Sequence, residues 1–243
     1  MLHKTEGIVL RTVKYRETSV VTTIYTRMFG VQSYLVNGVF SAKKGRTDGA
    51  KFQPGALLDL VVYHSGQKQL QRIREAAWSV VYENLLTDVV KNCVALYICE
   101  LLYKSVRQPE SNEELYAFIR ENLLLLDTAS SRVTANIPLY LTLHLPRFLG
   151  FGISGAEVQG AFGLDLQEGV FVDEDPAHPY VLTGEPARLT ALMLSAADVS
   201  KLEEVLIGKP LRTELYNRYQ EYYLFHVPEF GRMKSLEVLN AVF

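Results

Sequence analysis

The hydrophobic pattern of the chain changes near residue 84, which predicts a β-rich part followed by a helical part. Residues 1–80 form short segments rich in Val, Ile, Thr and Tyr, separated by turn signals such as Met28-Phe29-Gly30 and Ser65-Gly66. Such segments are typical of β-strands. We predict five strands, at residues 5–15, 19–27, 31–40, 56–64 and 68–77.

Five strands in so short a segment fit a small closed barrel better than an open sheet, because closure leaves no exposed strand edge. An OB-type barrel is the natural candidate. The sequence therefore predicts an α+β protein with a barrel at residues 1–80 and a mainly α-helical domain at 81–243.

Beyond residue 84 the apolar residues recur with the 3.6-residue period of helices. Asn112 is a good helix start, since it can cap a helix and acidic residues follow it at the positive end of the dipole. Residues 150–184 break the period because they are rich in glycine and proline, and they predict a loop or small hairpin insertion. Helices are predicted at about 87–107, 112–126, 131–149, 186–195, 198–207, 210–225 and 233–239.

Composition is that of an ordinary globular protein, with 48% hydrophobic and 21% charged residues. No apolar run approaches the ~18 residues that span a bilayer, and the start of the chain lacks the apolar core of a secretion signal. These features predict a cytoplasmic protein without a membrane partner. Cys93 and Cys99 form no Cys-x-x-Cys pair, so we expect free thiols and no cysteine-based zinc site within the chain.

Charge is distributed unevenly along the chain. Residues 1–80 hold 12 Lys/Arg and 5 Asp/Glu, a balance of +7, whereas residues 81–243 hold 13 and 22, a balance of −9. A basic module joined to an acidic one suggests an anionic partner for the basic module. Ordinary scatter of surface charge is the alternative explanation.

The cations of residues 1–80 are interleaved with aromatic residues, namely Tyr15, Tyr25, Phe29, Tyr34, Phe40, Phe52 and Tyr63. Cations neutralise phosphates and aromatic rings stack on bases, so this combination is typical of single-stranded nucleic-acid binding. We expect Tyr25, Tyr34 and Tyr63 to lie in the core, and we leave Phe40 and Phe52 open between core and surface. The candidate DNA-binding residues are Arg11, Lys14, Arg16, Lys43, Lys44, Arg46, Lys51, Arg72 and Arg74.

Common catalytic signatures are missing from the sequence, including phosphate-binding loops, dinucleotide-binding fingerprints and hydrolase or zinc-protease motifs. One constellation, Asp173-Glu174-Asp175 with His178, has side chains that could hold a divalent cation. A solvated acidic turn explains it better. We expect no catalytic residue and no cofactor, with a metal-dependent hydrolase or nuclease as the remote alternative.

Several segments resemble the bacterial RecO family over essentially the whole chain. The resemblance begins at Glu6-Gly7-Ile8-Val9-Leu10-Arg11 and continues through Tyr25-Thr26-Arg27-Met28-Phe29-Gly30 and Asn37-Gly38-Val39-Phe40. Later landmarks are Leu145-Pro146-Arg147-Phe148-Leu149-Gly150-Phe151 and Ser235-Leu236-Glu237-Val238-Leu239.

This resemblance implies an OB-type domain on a helical body, binding of single- and double-stranded DNA, annealing of complementary strands, and help in loading recombinase onto coated strands. The partners it implies are RecR and the acidic C-terminal tail of single-stranded-DNA-binding protein. For that tail we nominate Arg132 and Arg147. The alternative for Arg147 is a cap at the end of its helix, where the helix dipole favours a cation. A protein–protein adaptor that never touches DNA is the alternative.

Two features depart from the family pattern. Many members hold zinc with four cysteines in the insertion, whereas residues 150–184 contain none, so we expect no metal there. The arginine-rich stretch that usually follows the Gly38 position is here Phe40-Ser41-Ala42-Lys43-Lys44. Because of this second difference, the strength with which the loop binds DNA does not follow from the resemblance.

Overall fold

The computed structural model describes residues 1–40, 47–106, 110–156 and 160–243. These residues form two compact units, Met1–Thr128 and Ala129–Phe243, which we call the first and second units. The predicted basic residues Lys43, Lys44 and Arg46 lie outside the described residues.

A closed five-stranded barrel begins the first unit. Its strands are β1 (Leu2–Tyr15), β2 (Ser19–Thr26), β3 (Gly30–Val36), β4 (Leu57–Tyr63) and β5 (Leu70–Trp78). Their order around the barrel is β1-β2-β3-β5-β4, with β1 pairing back onto β4 and only β3 and β5 running parallel. This order is that of an OB-type barrel, so the predicted fold class is confirmed.

Strand β1 closes the barrel because it pairs with two neighbours. Its first half pairs with β4 and its second half with β2, and the register shifts between Val9 and Arg11. Such a bulge bends a strand, which allows one long strand to serve both sides. Val9, Ile24, Tyr34 and Leu58 fill the interior with no exposed surface.

The turn between β2 and β3 requires glycine at its end. Gly30 has a φ of +59°, and a Cβ built there would lie 2.3 Å from the carbonyl oxygen of Glu110. Both the backbone conformation and the close approach therefore exclude a larger residue. The predicted turn at Met28-Phe29-Gly30 is confirmed.

Three helices complete the first unit: α1 (Thr47–Ala50), α2 (Val89–Ser105) and α3 (Glu113–Thr128). Asn112 caps α3 as predicted, since its side-chain oxygen accepts a hydrogen bond from the Leu115 N–H at 2.9 Å. The Cys99 thiol on α2 is buried and donates to the Val9 carbonyl at 3.4 Å. Cys93 is only partly buried.

The helices α2 and α3 thus belong to the same compact unit as the barrel, and this unit extends to Thr128. The barrel strands themselves end at Trp78. The domain boundary at residues 80/81 stays a prediction.

The second unit is mainly helical. Its helices are α4 (Ser131–His144), α5 (Gly184–Ser195), α6 (Lys209–His226) and α7 (Ser235–Val242), with 3-10 helices at Leu145–Phe148 and Val199–Glu204. The helix predicted at 131–149 is α-helical only as far as His144, since Pro146 has no N–H with which to continue the helical hydrogen bonds. The helix predicted at 198–207 is a shorter 3-10 helix.

The insertion is more ordered than the sequence predicts. Strands β6 (Gly163–Asp165), β7 (Val170–Val172) and β8 (Val181–Thr183) form a three-stranded sheet in the order β7-β6-β8. The prediction of a loop or small hairpin misses the third strand, because such short strands cannot show a period of two.

Candidate nucleic-acid interface

A groove on the barrel brings three of the predicted cations together. Lys51, Arg72 and Arg74 line a space of about 340 Å³, with Val39 and Phe52 among its apolar neighbours. Arg72 and Arg74 come from β5, and both side chains point outward because alternate strand residues face the same side. Lys51 comes from the segment between β3 and β4. This groove, which we call the basic groove, can accept a phosphate backbone.

One carboxylate also lines the basic groove. Arg74 Nε lies 3.3 Å from Glu75 Oε1, and the two side chains are 52% and 65% exposed. Exposed ion pairs contribute little stability, so phosphate oxygens can compete for this guanidinium at small cost.

The three cations around the end of β1 do not line the basic groove. Arg11, Lys14 and Arg16 are exposed. Arg11 donates to the Tyr103 hydroxyl at 3.4 Å and lies 5.6 Å from the centre of that ring, on α2. Arg16 lies 5.2 Å from the centre of the Tyr15 ring. These contacts leave both guanidinium groups at the surface.

The aromatic residues divide between core and surface. Tyr25 and Tyr34 are buried as predicted, and burial raises the pKa of both hydroxyls. Phe52 is in the core and Phe40 is exposed, which decides the two open cases.

Tyr63 is 51% exposed, so its predicted place in the core is wrong. Along β4 the residues Leu58, Leu60 and Val62 face the interior, whereas Tyr63 shares the outer face with exposed Asp59. The charge of Asp59, an even number of positions before Tyr63 in a strand with a period of two, is the sequence signal that could have placed this ring outside.

The two residues nominated for the acidic tail lie at opposite ends of α4. Arg132, in its first turn, donates to the carbonyl oxygen of Glu203 at 3.0 Å. Arg147 follows the helix, and its guanidinium lies 4.6 Å from the centre of the Phe148 ring. The nearly continuous helix between them separates them by roughly 20 Å. The structure does not bring them together.

Arg147 lines a pocket of about 390 Å³ in the second unit, together with Leu143, Ile153 and Leu194. His144 also lines it; burial lowers the pKa of this imidazole, whose Nε2 lies 3.0 Å from the carbonyl oxygen of Met193. The pocket therefore combines an apolar floor with one exposed guanidinium.

The acidic turn of the insertion is arranged differently from a metal site. His178 Nε2 lies 3.2 Å from Asp165 Oδ2, and Asp165 Oδ1 accepts the N–H groups of Gln167 and Glu168. Asp165 is not among the residues that the sequence pattern singled out beside His178. Within residues 1–40, 47–106, 110–156 and 160–243, no group of three or more His, Cys, Asp or Glu side chains could hold a metal ion.

No helix in the described part of the chain is long and apolar enough to cross a membrane.

A closed OB-type barrel with a basic groove, followed by a helical body, is the architecture of a nucleic-acid-binding protein. The family models described as "Recombination protein O N terminal" and "Recombination protein O C terminal" match residues 1–82 and 86–237. The chain therefore belongs to the RecO family. This membership supports a role in DNA repair and recombination.

Curated relatives agree with this assignment over their whole length. The DNA repair protein RecO of Bacteroides fragilis is 31% identical over 245 residues, and that of Phocaeicola vulgatus is 30% identical over 244 residues. The DNA repair protein RecO of Christiangramia forsetii is 29% identical over 247 residues. In each case the similarity covers 100% of this chain and 100% of the relative.

Proposed function

We propose that this protein is a recombination mediator that binds single- and double-stranded DNA, anneals complementary strands, and helps load recombinase onto strands coated by single-stranded-DNA-binding protein. The observation that carries the proposal is the basic groove, where Lys51, Arg72 and Arg74 converge on one surface of the barrel. Family membership supports it.

Annealing in this mechanism requires no catalytic residue. Two complementary strands repel each other through their phosphates, and base pairing supplies the free energy once that repulsion is reduced. Cations that neutralise phosphates release condensed counterions, which makes binding favourable at low salt and weak at high salt. The protein then acts by concentrating and neutralising strands, without turnover of a chemical bond.

The partners of the mediator are also part of the proposal. They are RecR and the acidic tail of single-stranded-DNA-binding protein, and the place of action is the cytoplasm. For the tail, the pocket beside Arg147 has the required chemistry, since an acidic segment with an apolar side chain needs a cation next to an apolar floor. Arg132 is the second nominated residue, and its guanidinium is engaged with the Glu203 carbonyl.

The test is an annealing assay with bare and coated complementary oligonucleotides, comparing the wild type with the triple variant Lys51→Ala, Arg72→Ala and Arg74→Ala. A matched control removes one lysine and two arginines from exposed positions of the second unit, by Lys201→Ala, Arg188→Ala and Arg232→Ala. We expect the triple variant to anneal at least about fivefold more slowly and the control to behave like the wild type.

Salt titration of single-strand binding provides the mechanistic readout. Each phosphate contact on a single strand contributes about 0.7 to the slope of log affinity against log salt, so three lost contacts reduce the slope by about 2. An unchanged slope would reject the basic groove as the DNA contact. Absence of DNA binding by the wild type at low salt would favour the adaptor alternative, and metal-dependent cleavage would favour the nuclease.

A further inference from the structure

We infer that Tyr63 is a base-stacking residue for single-stranded nucleic acid, with Lys68 and Arg72 contacting the flanking phosphates. The inference rests on the proposed DNA binding and adds a second contact site to it. We call this surface, formed by Tyr63, His64, Lys68, Leu70 and Arg72, the Tyr63 platform. It lies at the end of the barrel where β4 turns into β5.

The Tyr63 platform adjoins the basic groove. A depression of about 220 Å³ is lined by Tyr63, His64, Lys68 and Arg72, and Arg72 also lines the basic groove. A strand in the basic groove can therefore continue past Arg72 to the exposed ring without leaving the protein surface.

Strand pairing places the ring and a cation side by side. Tyr63 on β4 is directly opposite Arg72 on β5, and the two side chains are both exposed. Directly opposed residues of antiparallel strands have Cβ atoms about 5 Å apart on the same face. One ring face next to one guanidinium matches a nucleotide, which offers a flat base and a phosphate.

The hairpin that carries the Tyr63 platform is held in one conformation. Gln71 is 3% exposed; its amide nitrogen donates to the carbonyls of Ser65 and Lys68 at 2.8 and 2.6 Å, and its oxygen accepts the Ser65 N–H at 3.1 Å. His64 stacks on Phe29 with ring centres 3.9 Å apart. Little conformational freedom is left to lose on binding, which favours affinity.

Charge at the Tyr63 platform selects an anionic ligand. Residues 60–74 include Lys68, Arg72 and Arg74 and contain no Asp or Glu. Among the residues that the structure describes, neither Lys68 nor Arg72 forms an ion pair, and both are exposed. A stacking ring needs an unpaired base, so the ligand is a single strand.

The test measures binding of two oligonucleotides of equal length by fluorescence anisotropy, one of thymidines and one of abasic sites. Tyr63→Ala is expected to weaken binding of the thymidine strand about tenfold, or about 1.4 kcal/mol, and to leave abasic binding within twofold. Tyr63→Trp is expected to retain both affinities, because a larger ring still stacks. Lys68→Ala is expected to weaken both strands equally.

Tyr180→Ala is the matched control, since Tyr180 is a 37% exposed tyrosine of the second unit. The inference is overturned if Tyr63→Ala leaves thymidine binding unchanged or weakens both strands equally, while thermal melting shows the variant folded. These outcomes leave the proposed function intact if the basic-groove triple variant still loses affinity. A wild type that binds neither oligonucleotide would overturn both proposals.

Discussion

Arg120 on α3 holds Glu6 on β1 through both carboxylate oxygens, with its Nε 3.2 Å from Oε1 and 3.1 Å from Oε2. The Glu6 side chain is 14% exposed, and Ser79 also donates to Oε1 at 2.5 Å. This interaction ties a helix to the barrel strand that closes the sheet. It explains in part why α3 and the barrel form one compact unit.

Arg120→Ala should destabilise the first unit by about 2 kcal/mol, because a largely buried carboxylate loses its cationic partner. Urea unfolding followed by the fluorescence of Trp78, the single tryptophan of the chain, measures this change. Arg188→Ala is the control, since its contact with Glu185 at 3.9 Å is exposed on both sides. Equal stability of the two variants would contradict the prediction.

Asp127 near the end of α3 predicts a pH-dependent stability. Its Oδ1 accepts the N–H groups of Asn84 and Leu85, both at 2.7 Å, and its Oδ2 accepts that of Glu83 at 2.9 Å. Burial raises the pKa of this carboxyl, but the three N–H groups and nearby Lys91 lower it by more. The net pKa therefore lies below the ordinary value.

A carboxyl with a lowered folded-state pKa stabilises the fold above its unfolded pKa, about 3.9, and loses that contribution as the pH falls through the folded value. We expect Asp127→Asn to lower the free energy of unfolding by about 2 kcal/mol at pH 7. The gap to the wild type should narrow below about pH 4. Urea titrations at pH 7, 5 and 3 measure it, with exposed Asp173→Asn as the control. A gap independent of pH would contradict the assignment.

Arg147→Ala should weaken binding of an acidic peptide with a free C-terminal carboxylate about tenfold, because it removes the cation at the apolar pocket of the second unit. Arg132→Ala should change binding much less, since that guanidinium lies at the other end of α4. Anisotropy of a labelled peptide measures both, and an amidated peptide tests the carboxylate. If only the Arg132 variant loses binding, the pocket is not the tail site.

Local patterns in the sequence correctly predicted much of the fold. The five strands, the turn before Gly30 and the Asn112 cap follow from β propensity, glycine conformation and side-chain capping, all of which act over short stretches of chain. The third strand of the insertion did not follow, because Val181–Thr183 is too short to carry a period. The prediction that Tyr63 lies in the core was wrong because aromatic residues occur both in barrel interiors and on binding surfaces.

What the sequence by itself determined is the class of fold, the excess of positive charge on residues 1–80, and the family. Only the tertiary structure decided which cations meet, because Lys51 and Arg72 are far apart along the chain and line one groove only after folding. It likewise joined His178 to Asp165 and Arg132 to the carbonyl oxygen of Glu203. The period of the apolar residues predicts which face of a strand or helix a side chain occupies. Which other residues pack against that face depends on contacts between segments that are distant in the sequence.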